Sequence, residues 1–93
     1  MSASTPQTAT LNNVASSATS VTLFAAGEPR ARTIYNDSTA VLYVAFSSTA
    51  ASTTNYTIQL AAGAYFEFPQ PVYGGQVTGI WASANGAART TSW

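Results

Sequence analysis

Short runs of β-branched and aromatic residues, each ended by turn-forming residues, recur along the chain and constrain its fold more than any other feature. Runs of this length and spacing are typical of antiparallel sheets, and no window shows the periodicity of an amphipathic helix. The expected strands are Val21–Phe24, Arg32–Tyr35, Val41–Phe46, Tyr56–Leu60, Tyr65–Phe68, Gln76–Ala82 and Ala88–Trp93. The sequence therefore predicts an all-β, single-domain antiparallel β-sandwich of about seven short strands.

The first 19 residues differ in composition from the rest of the chain. Beyond Met1, their large apolar residues are Leu11 and Val14, and the others are mostly Ser, Thr, Ala, Asn and Gln. Such a segment buries too little apolar surface to offset the entropy lost when it becomes ordered. We therefore expect an extended N-terminal arm over residues 1–19, which a neighbouring subunit could order, and a β-sandwich domain over residues 20–93.

Three segments between the expected strands contain residues that favour turns. The short polar side chains of Asn36-Asp-Ser-Thr39 favour a turn after the second strand. Gly74-Gly75 suits a turn with positive φ, and no Gly-Lys-Ser/Thr follows it as in a phosphate-binding loop. Asn85-Gly86 is a typical hairpin turn.

The alternation of side chains along a strand predicts on which side of the sheet several residues lie. In the expected strand 56–60, Tyr56, Ile58 and Leu60 share one face. Glu67 projects away from Phe66 and Phe68, since successive residues of a strand point to opposite sides of the sheet.

The composition excludes several classes of function. The chain has 93 residues, three arginines against three acids, and no lysine, histidine or cysteine. Without histidine, cysteine or lysine no serine has a partner that would activate it as a nucleophile, and the common zinc sites are absent. The carboxylates Glu28, Asp37 and Glu67 form no recognisable pair. We expect no enzyme activity, no cofactor and no metal.

Charge and hydropathy also disfavour two kinds of partner. Nucleic-acid binding requires a cluster of Lys and Arg residues, and the three arginines of this chain form no such cluster. The longest apolar run, Val41–Phe46, is far too short to cross a bilayer, which takes about 20 residues. The N-terminus lacks the basic and apolar regions of a secretory signal. We expect synthesis and assembly in a cytoplasm.

The run Val41–Phe46 is apolar on both faces. The residues of one face are Leu42, Val44 and Phe46, and those of the other face are Val41, Tyr43 and Ala45. The second face is covered either by a loop or arm of the same chain or by another subunit. We favour another subunit, because a small domain with only 6% charged residues gains much by oligomerising.

Several motifs after residue 30 resemble those of small virion proteins of tailed bacteriophages. The corresponding elements are Arg32–Ser38, Leu42–Val44, Tyr56–Leu60, Phe66–Pro69, Tyr73–Gly75, Val77–Trp81 and Asn85-Gly86. In this respect the chain is similar to the capsid decoration (cement) proteins of phages, including cyanophages. The N-terminal 30 residues carry no part of the resemblance.

The resemblance implies a non-enzymatic β-sandwich on the outer surface of the virion capsid. Proteins of this family bridge subunits of the major capsid protein and stabilise the shell, typically as homotrimers at threefold positions. A tail or baseplate component with the same fold is the alternative within phages. A carbohydrate-binding module for host adhesion is the alternative from another class, since exposed aromatic rings stack on sugars.

We assign contact roles to residues of the arm, to two arginines and to three aromatic residues. Arginine and large aromatic side chains dominate the energetics of protein interfaces. The candidate contact residues are Leu11, Val14, Arg30, Arg32, Tyr43, Trp81 and Trp93.

Overall fold

The computed structural model describes residues 7–93, which form eight β-strands. Their bounds are β1 (Thr10–Ala15), β2 (Val21–Phe24), β3 (Arg32–Ser38), β4 (Leu42–Ala45), β5 (Ile58–Leu60), β6 (Tyr65–Glu67), β7 (Val77–Trp81) and β8 (Gly86–Ser92). No helix occurs in this part of the chain. The predicted all-β fold is confirmed.

The strands form two four-stranded sheets with the orders β1-β8-β3-β6 and β2-β7-β4-β5. Every neighbouring pair is antiparallel. The pairs β1–β8, β2–β7, β3–β6 and β4–β5 are four ribbons that wind around one core, which is the topology of an eight-stranded jelly roll. The predicted antiparallel β-sandwich is therefore present, with one more strand than the sequence suggested.

The additional strand lies in the expected arm. Thr10–Ala15 pairs with β8 over six residues and forms one edge of the first sheet. This part of residues 1–19 is thus tied to the sandwich of its own chain, because main-chain hydrogen bonds to β8 replace the apolar burial that the segment lacks. Residues 1–6 of the expected arm lie outside the described residues.

The structure corrects two of the expected turns. Asn36, Asp37 and Ser38 continue β3 and pair with β8. Asn85-Gly86 does not close a hairpin, because β7 and β8 belong to different sheets. Gly86 has a positive φ of 118° and begins β8 beside Ser38.

Gly74 and Gly75 also differ from the expectation, since neither has a positive φ. Both positions need glycine because other atoms of the chain lie too close to leave room for a Cβ. A Cβ on Gly74 would lie 2.8 Å from the carbonyl oxygen of Gly27, and one on Gly75 would collide with the ring of Tyr73.

The core lies between the sheets and follows from the alternation of side chains along each strand. Ile34, Leu42, Val44, Val77 and Trp81 are almost completely buried. Each contributes about 1.5–3 kcal/mol by removing its apolar surface from water. Ile58 and Leu60 face this core as expected, whereas Tyr56, expected on the same side, precedes β5 and is 40% exposed. Phe68 is buried while Glu67 is exposed.

Two polar side chains of β3 also point into the core and connect the sheets. Near one end, the Asn36 amide nitrogen donates to the carbonyl oxygens of Ala40, Leu60 and Ala61 at 2.9–3.1 Å. Its Oδ1 accepts from Ser38 Oγ at 2.7 Å and from Trp81 Nε1 at 3.2 Å. Asn36 has no exposed surface, so these bonds replace the water that it loses on folding.

Arg32 occupies the other end of β3. Its Nη1 donates to the carbonyl oxygens of Tyr73 and Gly75 at 2.7 and 2.8 Å, and its Nη2 donates to that of Ala25 at 2.8 Å. The guanidinium carbon lies 4.8 Å from the centre of the Phe24 ring, a cation–π contact. Burial lowers the pKa of Arg32 from its ordinary value, and the interaction with Tyr73 partly opposes this shift.

The outward face of β4 is covered from within the chain. The loop of residues 46–57 folds back over it, and the Thr78 hydroxyl donates to the carbonyl oxygen of Thr49 at 2.9 Å. Ala51 in this loop and Ala45 in β4 are both buried. The ring of Tyr43 lies 5.0 Å from that of Tyr56. Of the two explanations for this doubly apolar strand, a loop of the same chain covers Ala45, while Tyr43 on the same face stays half-buried.

Candidate functional site

The described residues contain no group of three or more His, Cys, Asp or Glu that could hold a metal ion. The three carboxylates lie on separate elements: Glu28 before β3, Asp37 in β3 and Glu67 in β6. No helix in residues 7–93 is long and apolar enough to span a membrane.

One exposed sheet face concentrates large side chains. We use the term outer face for the solvent side of the β1-β8-β3-β6 sheet. The register places its residues in rows that cross the sheet. The rows are Leu11, Thr91, Thr33 and Glu67; Asn13, Arg89, Tyr35 and Tyr65; and Ala15, Ala87 and Asp37.

Three of the exposed large hydrophobic residues lie on the outer face. Leu11 is 73% exposed, Tyr65 is 62% exposed and Tyr35 is 38% exposed. They are exposed because their strand neighbours, such as Ile34 and Phe66, point inward to the core. Tyr35 and Tyr65 are partners on adjacent strands, so their side chains stand next to each other.

The outer face carries few charges. Arg89 Nε donates to Asp37 Oδ2 at 2.8 Å, and both side chains are about half exposed. An ion pair this accessible contributes at most about 1 kcal/mol to stability. The charges of Arg89 and Asp37 cancel, so the carboxylate of Glu67 is the one uncompensated charge that residues 7–93 place on the outer face. Such a face suits a partner that binds by shape and apolar contact.

Four of the sequence-derived contact residues are wholly or partly accessible. Leu11 lies on the outer face and is the most exposed large hydrophobic residue described. Arg30 is exposed, and its main-chain N–H donates to the main-chain oxygen of Trp93 at 2.6 Å. Trp93 is 38% exposed at the end of β8. Tyr43 is half-buried on the other sheet, against Tyr56.

The other three point inward, and for Arg32 and Trp81 the structure corrects the expected contact role. Val14 points inward and packs against the core. Arg32 is 2% exposed and Trp81 is 1% exposed. Side chains this buried cannot reach a partner of the folded chain, because the other sheet already occupies the space they face. Arg32 and Trp81 are structural residues.

No contact role was predicted from the sequence for Tyr35, Tyr65, Asp37 or Arg89. A partial signal was present, since Tyr35 and Tyr65 each adjoin an apolar residue of the same strand, Ile34 and Phe66. What the sequence lacked was the pairing of β3 with both β6 and β8, which brings these residues onto one surface.

The chain was compared with protein-family models, curated proteins and solved structures, and none of them matches it.

Proposed function

We propose that this chain is a structural virion protein that binds the outside of a phage head and bridges subunits of the major capsid protein. The observation that carries the proposal is the outer face, where Leu11, Tyr35 and Tyr65 are exposed on a sheet with few charges. The resemblance of residues after 30 to phage decoration proteins adds support. The jelly-roll topology, which viral capsid and lectin domains share, agrees with it by analogy of fold alone.

The exposed aromatic residues suit the centre of a protein contact. Tyr is enriched among the residues that contribute most to binding, because its large rigid ring loses little conformational entropy. The row that contains Tyr35 and Tyr65 is bordered on one side by the row of Leu11 and Glu67 and on the other by the row of Ala15 and Asp37.

The size of the face indicates that flanking residues take part as well. Four strands spaced about 4.8 Å apart are about 15 Å wide, and strands of six or seven residues are about 20 Å long. This area is smaller than the ~800 Å² that each partner buries in an ordinary interface. Trp93, which follows β8 and is 38% exposed, adjoins one end of this sheet.

The packed interior fits a protein under mechanical load. Two polar side chains, Asn36 and Arg32, connect the sheets at separate points along β3. A module that resists separation of its sheets can transmit force between the shell subunits it contacts.

The test uses phage particles assembled without the gene for this chain. Purified wild-type protein is added, and binding is measured by co-sedimentation and by cryo-EM of the particles. Tyr65→Ser is the test variant, and Tyr56→Ser is its matched control, because Tyr56 is 40% exposed but lies outside the outer face. We expect density on the head for the wild type and the control, and at least tenfold weaker binding for Tyr65→Ser.

Density on the tail or baseplate would contradict the capsid location and support the alternative phage role. Equal binding by Tyr65→Ser and Tyr56→Ser would contradict the outer face as the contact surface. Circular dichroism of each variant checks that the β-sheet content is unchanged.

One observation favours a second function, glycan binding. Tyr35 and Tyr65 stand side by side, and Arg89 and Asn13 continue the same row. Aromatic rings that stack on a sugar, beside groups that bond its hydroxyls, are suited to such a ligand. A glycan array tests it: reproducible binding by the wild type that Tyr35→Ser abolishes would favour this function over capsid attachment.

A further inference from the structure

The strand β1 is an open edge of the first sheet. Its one side pairs with β8, and no strand of residues 7–93 pairs with its other side. It spans six residues, whereas the other edge strands are shorter: β2 has four residues, and β5 and β6 have three each.

The register shows which main-chain groups point away from the sheet. Ser16 N–H donates to the carbonyl oxygen of Gly86 at 2.9 Å, directly after β1. Antiparallel residue pairs alternate between bonded and non-bonded, so the even-numbered residues of β1 bond β8. The N–H and C=O groups of Leu11, Asn13 and Ala15 therefore face outward.

The other side of β8 supports this assignment. Trp93, directly after β8, donates its N–H to the carbonyl oxygen of Ala31, directly before β3, at 3.1 Å. The odd-numbered residues of β8 thus bond β3, which leaves its even-numbered residues for β1.

The outward edge of β1 lacks the features that usually keep sheet edges apart. Proteins protect such edges with charged residues, proline, bulges or very short strands. β1 contains neither charge nor proline, and its pairing with β8 runs without a register shift. By contrast, β2 has a bulge between Thr22 and Phe24.

We propose that β1 is a pairing site for β1 of a second copy of this chain. The two strands run antiparallel about a twofold axis at Asn13. Leu11 then lies opposite Ala15 of the second copy, and Asn13 lies opposite its own equivalent. This register uses all three outward residues of each strand and forms about six main-chain hydrogen bonds, two for each residue pair.

A second copy fits this edge in chemistry as well as in hydrogen bonding. Both strands are uncharged, so no like charges meet at the contact. The nearest arginine, Arg89, lies one strand away and is paired with Asp37. Its equivalent in the second copy is three strand spacings distant, about 14 Å, which exceeds the screening length of about 8 Å at physiological salt.

The contact joins two four-stranded sheets into one of eight strands and places two outer faces side by side. It closes after two copies, whereas the trimer implied by the family resemblance needs a different contact. The inference depends on the edge geometry alone and not on the proposed capsid role.

Single-cysteine variants test the position of the axis. The chain has no native cysteine, so each variant carries one thiol. In the proposed register the two Cα atoms at position 13 are about 5.5 Å apart, within the range of a disulfide. The two Leu11 positions are about 14 Å apart, since each is four residues from its equivalent along the strand.

We expect Asn13→Cys to form a covalent dimer under mild oxidation and Leu11→Cys to form little covalent dimer, although both variants associate through β1. Dimers from both variants at equal rates, or from neither, would overturn the proposed register.

A proline variant tests the backbone contact. Asn13→Pro removes an outward N–H and leaves the β1–β8 hydrogen bonds intact, and proline is tolerated in this position of an edge strand. Asn13→Ala is the control, because it changes the same side chain but keeps the N–H. We expect a dimer for the wild type and for Asn13→Ala by light scattering, and at least tenfold weaker dimerisation for Asn13→Pro.

A monomeric or trimeric wild type, or an Asn13→Pro variant that dimerises as the wild type does, would overturn the inference. A monomer that still binds phage heads would refute the β1 contact and leave the proposed function standing. A dimer that does not bind phage heads would support the β1 contact and refute the proposed function. Circular dichroism shows whether Asn13→Pro keeps its fold.

Discussion

The indole Nε1 of Trp81 donates a hydrogen bond to Oδ1 of Asn36 at 3.2 Å, and this bond joins the two sheets inside the core. Trp81 belongs to the β2-β7-β4-β5 sheet and Asn36 to the β1-β8-β3-β6 sheet. Both side chains are almost fully buried, so neither has water as an alternative partner. The polar bridge therefore fixes how the two layers sit on each other, a geometry that apolar packing alone specifies less sharply.

Replacing Asn36 with alanine is expected to destabilise the fold strongly. The change leaves the Trp81 N–H and the carbonyl oxygens of Ala40 and Leu60 buried without this partner. We expect a loss of about 3 kcal/mol or more in the free energy of unfolding, measured by urea denaturation. Asn13→Ala on the exposed edge is the control, with an expected change below about 0.5 kcal/mol. Similar losses for the two variants would contradict this role of Asn36.

The variant Asn36→Asp is expected to make stability depend on pH. Its carboxylate would face carbonyl oxygens instead of donating to them, and burial also disfavours its charged form. The pKa of this group in the folded state is therefore raised above its unfolded value, which is about 3.9. Stability relative to the wild type is then highest below the unfolded pKa and falls as pH rises through it toward the folded-state pKa.

Urea denaturation of Asn36→Asp and of the wild type at pH 4 and pH 7 measures this dependence. The difference in unfolding free energy between the two proteins should be larger at pH 7. A difference that does not change with pH would show that position 36 tolerates the charge.

Arg32→Lys is expected to destabilise the fold although it keeps the charge. Lysine cannot reproduce the planar fork that bonds the carbonyl oxygens of Ala25, Tyr73 and Gly75 together. We expect a loss of about 1–3 kcal/mol in thermal or urea denaturation. Arg89→Lys, in an exposed ion pair, is the matched control and should change stability by less than about 1 kcal/mol. Equal effects would mean that the fork contributes nothing.

Gly86→Ala is expected to cost about 1–3 kcal/mol of stability. Gly86 has a φ of 118°, which side chains rarely adopt, and a Cβ there would lie 2.7 Å from the Cα of Ser38. Gly27→Ala is the control, because a Cβ at Gly27 meets nothing within 4 Å and its φ is ordinary. Thermal denaturation compares the two. A Gly86→Ala variant as stable as Gly27→Ala would show that the start of β8 can relax.

The sequence by itself determined the class of fold and the facing of several strands. Alternation alone put Ile58 and Leu60 on one face of a strand and Glu67 opposite Phe66 and Phe68, because the side-chain period of two in a strand is a local property. The composition likewise removed histidine and cysteine chemistry without reference to any contact. These conclusions needed no knowledge of which strands are neighbours.

The tertiary structure alone decided how the strands pair and which residues are accessible. Trp81 and Arg32 look like contact residues in the sequence, yet they bond groups 45 and 41 positions away and are buried. Thr10–Ala15 has too little apolar surface to order itself, and only the free side of β8 makes it a strand. The physical reason is the same in each case: pairing and burial depend on groups far apart in the chain, and no local pattern encodes those distances.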